Sequence, residues 1–301
     1  MGPFRVANAL LEHPERLRAQ AEEDGYLFFE GLLDPLRIAG LRTAFAEILE
    51  RHGWLDPGTD RLELRSSRPA IVEGMEAYWP VLADFQRLEE FHALAHDPAL
   101  VDLFEKLFGG AVLVHPRNIG RIMFPSTPPT PPHQDYVHIQ GTPNTWTAWI
   151  PLMDIPPELG GLEVLPGSHR WGLLSVRRMP GAGGVGVSRS VDESQWVGGP
   201  FAAGDVLIFH SWTVHRGRPN RTSDRLRLSV DYRYQPVGEP VTADSLRPHF
   251  NRFDWEFVYR DWKSETLKYY WQRLPLQIVS YDPGLVRFAA EPGGQQEGER
   301  R

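Results

Sequence analysis

The segment Arg225-Leu226-Arg227-Leu228-Ser229-Val230-Asp231-Tyr232-Arg233-Tyr234 alternates polar and apolar side chains with no break. Successive residues of a β-strand point to opposite faces, so Leu226, Leu228, Val230, Tyr232 and Tyr234 share one face. Arg225, Arg227, Ser229, Asp231 and Arg233 share the other. A strand lying at the surface turns such a polar face to water. A strand whose apolar face is covered by helices points it into a cavity instead. Shortly upstream come a turn and buried strand, Gly204-Asp205-Val206-Leu207-Ile208-Phe209, and then Thr213-Val214-His215. A histidine so close to clustered arginines favours the cavity.

Working outward, short β-type runs separated by Pro and Gly occupy 111–115, 119–124, 145–151, 162–165, 205–209 and 226–234. Irregularly spaced short strands with turn signals predict a sandwich or jelly roll, not alternating βα units. The part before residue 111 reads as helical after a short strand at Tyr26-Leu27-Phe28-Phe29. Asp34-Pro35 and Asp97-Pro98 are helix starts, with Asp as the cap and Pro at the first helical position. Leu36, Leu41, Phe45, Ile48 and Leu49 follow the first at helical spacing; Leu100, Leu103, Phe104 and Leu107 follow the second. Gly53 and Gly109-Gly110 supply the stops. A further helix is expected over 253–274, its Trp255, Tyr259, Trp262 and Tyr269 stripe serving core packing. One domain over 1–290 is expected: helical 1–110, β core 111–236, helical 237–290, then a disordered tail at 291–301.

The chain has 301 residues, 41% hydrophobic and 24% charged, enough for a substantial core. The net charge of −7 and the lack of a long Lys/Arg run argue against nucleic-acid binding. With no cysteine, thiolate metal sites and Cys nucleophiles are excluded. The N-terminus lacks a signal-peptide pattern, and no apolar run approaches the roughly 20 residues that span a bilayer. A cytoplasmic protein without a membrane partner is expected; no oligomeric state can be read. The glycine-rich 179–190 stretch follows no strand and opens no helix, so it reads as a surface loop or lid, not a phosphate loop.

The chemistry centres on Pro132-His133-Gln134-Asp135. In an extended strand His133 and Asp135 fall on one face and can grip one ion. His215 can supply a third ligand from a partner strand. Two histidines and one carboxylate leave coordination positions open, as in non-haem Fe(II) oxygenases. A guanidinium from the polar face could pair bidentately with the carboxylate of an anionic, chelating co-substrate. Gln134, His138, His169 and His210 read as structural.

Together, Pro132-His133-Gln134-Asp135, Thr147-Ala148-Trp149-Ile150-Pro151-Leu152, Gly160-Gly161-Leu162, Pro166-Gly167-Ser168-His169 and the stretch from His215 to Arg227 resemble the phytanoyl-CoA dioxygenase family. This resemblance implies a mainly β protein: a double-stranded β-helix (jelly-roll, cupin-like) core with N- and C-terminal helices packed on one sheet. It further implies Fe(II) on His133, Asp135 and His215, with 2-oxoglutarate and O2 as co-substrates. Arg227, followed by Ser229, would hold the far carboxylate of 2-oxoglutarate, with Arg225 as the substitute and Trp149 as a further contact. The implied reaction is hydroxylation of an unactivated C–H of a small molecule, with release of succinate and CO2. Asp135 fills the position that related halogenases leave open for halide. A zinc hydrolase and a non-catalytic small-molecule binder or sensor are the competing readings. Arg117, Arg121 and Arg233 either bind a carboxylate-bearing substrate, such as an amino-acid derivative, or pair internally with Asp231 or Glu163.

Overall fold

The computed structural model describes residues 2–289. The tail expected at 291–301 lies outside the described residues. Helices dominate the first third: α1 (Pro14–Asp24), α2 (Pro35–Arg51), α3 (Tyr78–Arg87), α4 (Glu89–Ala95) and α5 (Pro98–Phe108), with β1 (Tyr26–Phe29) between the first two. The two Asp-Pro starts behave as their chemistry requires. Asp34 accepts the Leu36 amide, Asp97 accepts that of Ala99, and Gly109 ends α5 in the left-handed region.

The β core comprises β2 (Val112–Val114), β3 (Ile119–Met123), β4 (Trp146–Pro151), β5 (Leu162–Val164), β6 (Val176–Arg178), β7 (Val185–Val187), β8 (Val197–Gly198), β9 (Val206–His210), β10 (His215–Gly217) and β11 (Arg227–Pro236), with the one-turn helix α6 (Tyr136–Ile139) between β3 and β4. The major sheet runs β1-β9-β4-β11-β2, with β3 also paired to β11, and the minor sheet runs β10-β5-β8. The rings of Phe209 in β9 and His215 in β10 lie 4.2 Å apart, so the minor sheet meets the major one across the interior. This is the jelly-roll arrangement.

Strand β11 organises the whole. Its apolar face lies under the helices: the Tyr232 and Tyr234 hydroxyls donate to the carbonyls of Phe91 and Ala95, each at 2.7 Å. The Tyr234 ring stacks on Phe104 at 4.0 Å. Its polar face is buried as well, from Arg227 through Arg233. Sequence alternation therefore marks a boundary between helical layer and internal cavity, not one between core and water.

The helix expected over 253–274 does not form. Only α7 (Trp255–Tyr259) is α-helical, and the chain then passes through turns to Tyr269, at φ 50°. The stripe residues gather into one cluster: Trp255 contacts Tyr259 and Trp271, and Tyr259 contacts Trp262 and Tyr269. Two short strands, β12 (Val241–Thr242) and β13 (Ile278–Val279), pair nearby. The indole of Trp262 donates to Arg87 at the end of α3, so this cluster packs on the helical layer. Burial of large aromatic rings outweighs helical periodicity there. The core-packing role holds, although the helix does not.

Two histidines at the seams of these layers are buried. His92 pairs with the Gln86 carbonyl at 2.9 Å and with Asn118, and His115 with Gln235 at 2.8 Å. Burial holds them neutral, down to about 4 for His92 and about 3 for His115, against an ordinary 6.5. The unfolded chain binds a proton on each as pH falls through 6.5, whereas the folded chain does so only near 4 or 3. Their contribution is complete above about pH 6.5 and fades below it. Stability of the metal-free protein, followed by urea melts, should drop through this window. His115→Asn should make the slope shallower by about 1.4 kcal/mol per pH unit; an unchanged slope contradicts the assignment.

Candidate active site

His133 and His215 form an isolated antiparallel bridge, exchanging backbone hydrogen bonds of 2.9 and 3.0 Å. Directly opposed residues of this kind point their side chains the same way, and the two rings lie 4.1 Å apart. Asp135 arrives differently from expectation. It stands not in a strand but at the start of α6, with φ −60° and ψ −30°. The chain leaves the bridge at His133 and turns into a helix, which brings the carboxylate back toward the imidazoles. Asp135 Oδ1 lies 3.6 Å from His133 Nε2 and 3.7 Å from His215 Nε2. All three ligand atoms fall within 4.8 Å of one another.

The surroundings fix which atoms face the centre. His133 Nδ1 lies 2.8 Å from the Pro131 carbonyl, and His215 Nδ1 lies 3.1 Å from that of Thr213. A carbonyl only accepts, so each Nδ1 carries the proton and each Nε2 presents its lone pair inward. Asp135 Oδ2 accepts from the Thr147 hydroxyl at 2.5 Å and meets Arg233 at 3.4 Å, which leaves Oδ1 for the centre. Burial alone would raise the Asp135 carboxyl, but Arg233 and the two imidazoles hold it well below the usual range. This donor set fits a divalent metal ion, and the open side fits non-haem Fe(II).

The strand register places a second set of groups beside it. Opposite Ser229, Asp231 and Arg233 of β11 stand Pro151, Trp149 and Thr147 of β4, and opposite Arg227 stands Met123 of β3. Arg227 is almost wholly buried, and among the described residues its guanidinium bonds the Gly160 carbonyl alone. Among the same residues its Nε has no partner, and neither do Ser229 Oγ and Trp149 Nε1. No carboxylate lies within ion-pair distance of it among the described residues. Burial, with Arg121 nearby, pushes the guanidinium down to about 10. A buried cation without a counter-charge is costly, and an anionic group would offset that cost.

Arg225 is placed elsewhere. Regular pairing of β11 starts only at Arg227, and Arg225 forms an isolated bridge with Arg65, away from the residues lining the cavity. Asn220 accounts for the bend: its amide donates to the Arg225 carbonyl at 2.6 Å. Arg121 proves to be internally paired, with Asp231 at 2.6 Å and Glu73 at 3.4 Å. Glu163 serves instead Arg216 and Arg218, at 2.7 and 2.6 Å. Gln134 and His169 are bound to backbone carbonyls, as structural roles require. His138 on α6 lies between the His133 ring, 6.3 Å away, and the loop, where a Cβ on Gly183 would lie 3.1 Å from its Nε2.

Arg121 and Arg227 form one wall of a cavity of about 390 Å³, whose apolar lining includes Val72, Ile122, Phe124 and Phe250. Gly181 to Gly184, the tip of the β6–β7 hairpin, cover it, so the glycine-rich stretch is a roof and not a phosphate loop. Thr147 is a site residue that sequence reading did not assign, and Arg233, expected to bind a substrate carboxylate or to pair with Asp231 or Glu163, pairs with Asp135 instead. Thr147 lies two positions before Trp149 on the same strand, so strand parity alone carried a signal for it.

A jelly-roll core enclosing a His-Asp-His cluster and a lone buried guanidinium defines the 2-oxoglutarate-dependent non-haem iron class. The family model for phytanoyl-CoA dioxygenase (PhyH) matches residues 21–228. The 1-deoxypentalenic acid 11-beta-hydroxylase of Streptomyces exfoliatus is 30% identical over 260 residues, covering 79% of this chain and 87% of that protein. The L-proline trans-4-hydroxylase of Streptomyces griseoviridis is 28% identical over 247 residues, covering 66% and 88%. Among solved structures, the epimerase SnoN with Fe3+, alpha ketoglutarate and nogalamycin RO aligns with a TM-score of 0.54 and 24% identity, over 76% of this chain and 85% of that one. The chain belongs to the phytanoyl-CoA dioxygenase family, and it is a 2-oxoglutarate-dependent non-haem iron oxygenase. No helix among the described residues is long and apolar enough to cross a membrane.

Loss of an outer hydrogen bond to a metal ligand costs about 10- to 100-fold in affinity. Thr147→Val should therefore weaken Fe(II) binding to that extent in anaerobic competition titrations while keeping the fold. Unchanged affinity would show that Asp135 needs no such support.

Proposed function

We propose that this oxygenase hydroxylates an unactivated C–H bond of a small molecule, with His133, Asp135 and His215 holding Fe(II) and Arg227 holding the far carboxylate of 2-oxoglutarate. The observation that carries this reading is the buried guanidinium of Arg227, which has no carboxylate partner among the described residues and stands on the face of β11 from which Arg233 reaches the three convergent ligand atoms. A zinc hydrolase has no use for such a cation, and a mere binder has no use for both features together. The relatives named as hydroxylases of 1-deoxypentalenic acid and of L-proline support the same reaction class. Asp135 gives its carboxylate to the metal and so leaves no place for a halide, which favours hydroxylation over halogenation.

The residues divide the work as follows. Iron with 2-oxoglutarate and O2 supplies the oxidising chemistry and leaves succinate and CO2. His133 and His215, protonated at Nδ1, keep Nε2 free and fixed. Thr147 and Arg233 hold Asp135 so that one oxygen faces the centre. Arg227 and Ser229 orient the co-substrate, and Trp149 shields it with its indole N–H available as a donor. The glycine hairpin tip and Phe250 keep water from the cavity, which suppresses turnover without substrate.

Asp135→Ala should abolish 2-oxoglutarate-dependent succinate release. Arg227→Gln should raise the KM for 2-oxoglutarate by roughly 100-fold, the scale for removing one partner of a buried charge pair. Arg225→Gln should leave that KM within about threefold, as expected for a change outside the site. Succinate release retained by Asp135→Ala, or a larger KM effect from Arg225→Gln than from Arg227→Gln, would overturn the assignment.

A further inference from the structure

Beyond the groups that serve metal and co-substrate, a second set of unsatisfied polar atoms lies near the centre. Among the described residues, His249 has both ring nitrogens buried without a hydrogen-bond partner. It sits within electrostatic reach of Arg121, Arg117 and Arg233, three guanidinium groups on different strands and loops. Arg233 has one nitrogen on Asp135, while its Nε is buried and unpartnered. Arg117 bonds only neutral oxygens, the Arg247 carbonyl at 3.2 Å and the Asn251 side chain, and has no carboxylate within ion-pair distance among the described residues. The segment that carries His249 is itself strained, since Phe250 and Asn251 stand at φ 65° and 55°. Non-glycine residues rarely occupy that region, and two in succession need surroundings that enforce them. Phe250 lines the cavity and packs on Trp79 at 5.3 Å, and the His249 ring lies 3.9 Å from that of Phe250.

Charge decides what such a pocket accepts. Arg121, Arg227 and Arg233 face Asp135, Asp231 and Glu73 in this interior, and half-buried Arg117 stands at its rim, where the opposite charges of Asp244 and Arg247 act on it. The dication and the dianionic co-substrate cancel each other. One positive charge is left over, at Arg117. The fixed donors around it match a planar anion better than a neutral oxygen.

We propose, resting on the oxygenase reading above, that the substrate is an apolar-bodied small molecule bearing one carboxylate, which Arg117, Arg233 and His249 hold just beyond the Arg121 and Phe250 lining of the cavity. The apolar wall of Ile122, Phe124 and Phe250 takes the body of the molecule, and the anion fixes which carbon faces the metal. Arg121, already shared by Asp231 and Glu73, takes no part in direct binding.

The test uses the full chain loaded with Fe(II) and saturated with 2-oxoglutarate under argon. Cyclohexanecarboxylate, adamantane-1-carboxylate and decanoate are titrated beside their primary carboxamides and followed by calorimetry. At least one acid should bind 10-fold or more tightly than its amide. Arg117→Gln should remove that preference, Arg117→Lys should restore part of it, and His249→Phe should weaken the acid while sparing the amide. Affinity for 2-oxoglutarate should stay within about twofold in all three variants, since none touches Arg227. Equal binding of every acid and amide, no binding by any acid, or an acid preference that survives Arg117→Gln overturns the proposal. Loss of 2-oxoglutarate binding by the unaltered protein would instead strike the oxygenase reading.

Discussion

The pair of backbone hydrogen bonds between His133 and His215 is the constraint on which the site depends. It ties the loop before α6 to the minor sheet, and it sets two imidazoles side by side before any metal arrives. Backbone pairing of this kind costs little to maintain, since both groups need partners wherever they are buried. Because the partners are main-chain atoms, the side chains stay free for ligation. Their own outer nitrogens are spoken for by the Pro131 and Thr213 carbonyls, so the orientation of both rings is settled by hydrogen bonds to backbone two residues away.

Around that pair the protein assembles charge in an order that makes chemical sense. Asp135 is held by Thr147 and Arg233, Asp231 by Arg121, and Glu73 by the same Arg121. Among the described residues Arg227 is left without a carboxylate, at the foot of β11 where pairing with β3 begins. Buried ion pairs stabilise little in themselves, because desolvation offsets most of the attraction. Their value here is geometric. Each paired group is fixed in place.

Much of this was legible in the residues. The two Asp-Pro helix starts, the six β-type runs and the alternation of β11 all reflect local rules that tertiary packing leaves intact. The His-x-Asp pair and His215 were readable because metal chemistry restricts residue type so strongly. The geometry behind the pair was not: Asp135 reaches the centre from a helix start, and no spacing rule distinguishes that from a strand. Arg225 and Arg227 share a face on paper, yet the Asn220 bend takes Arg225 out of the sheet, a long-range effect that alternation cannot encode. The helix expected over 253–274 failed for a related reason, since its aromatic rings are placed by the helices they pack on, not by their own periodicity.

The most direct measurement is an anaerobic crystal structure of the protein with Fe(II) and 2-oxoglutarate, with the metal located by its anomalous signal. A single iron bound by His133 Nε2, His215 Nε2 and Asp135 Oδ1 is predicted, with the far carboxylate of 2-oxoglutarate on Arg227. Iron bound elsewhere, or a co-substrate whose far carboxylate meets Arg225 while Arg227 stays unpaired, would contradict it.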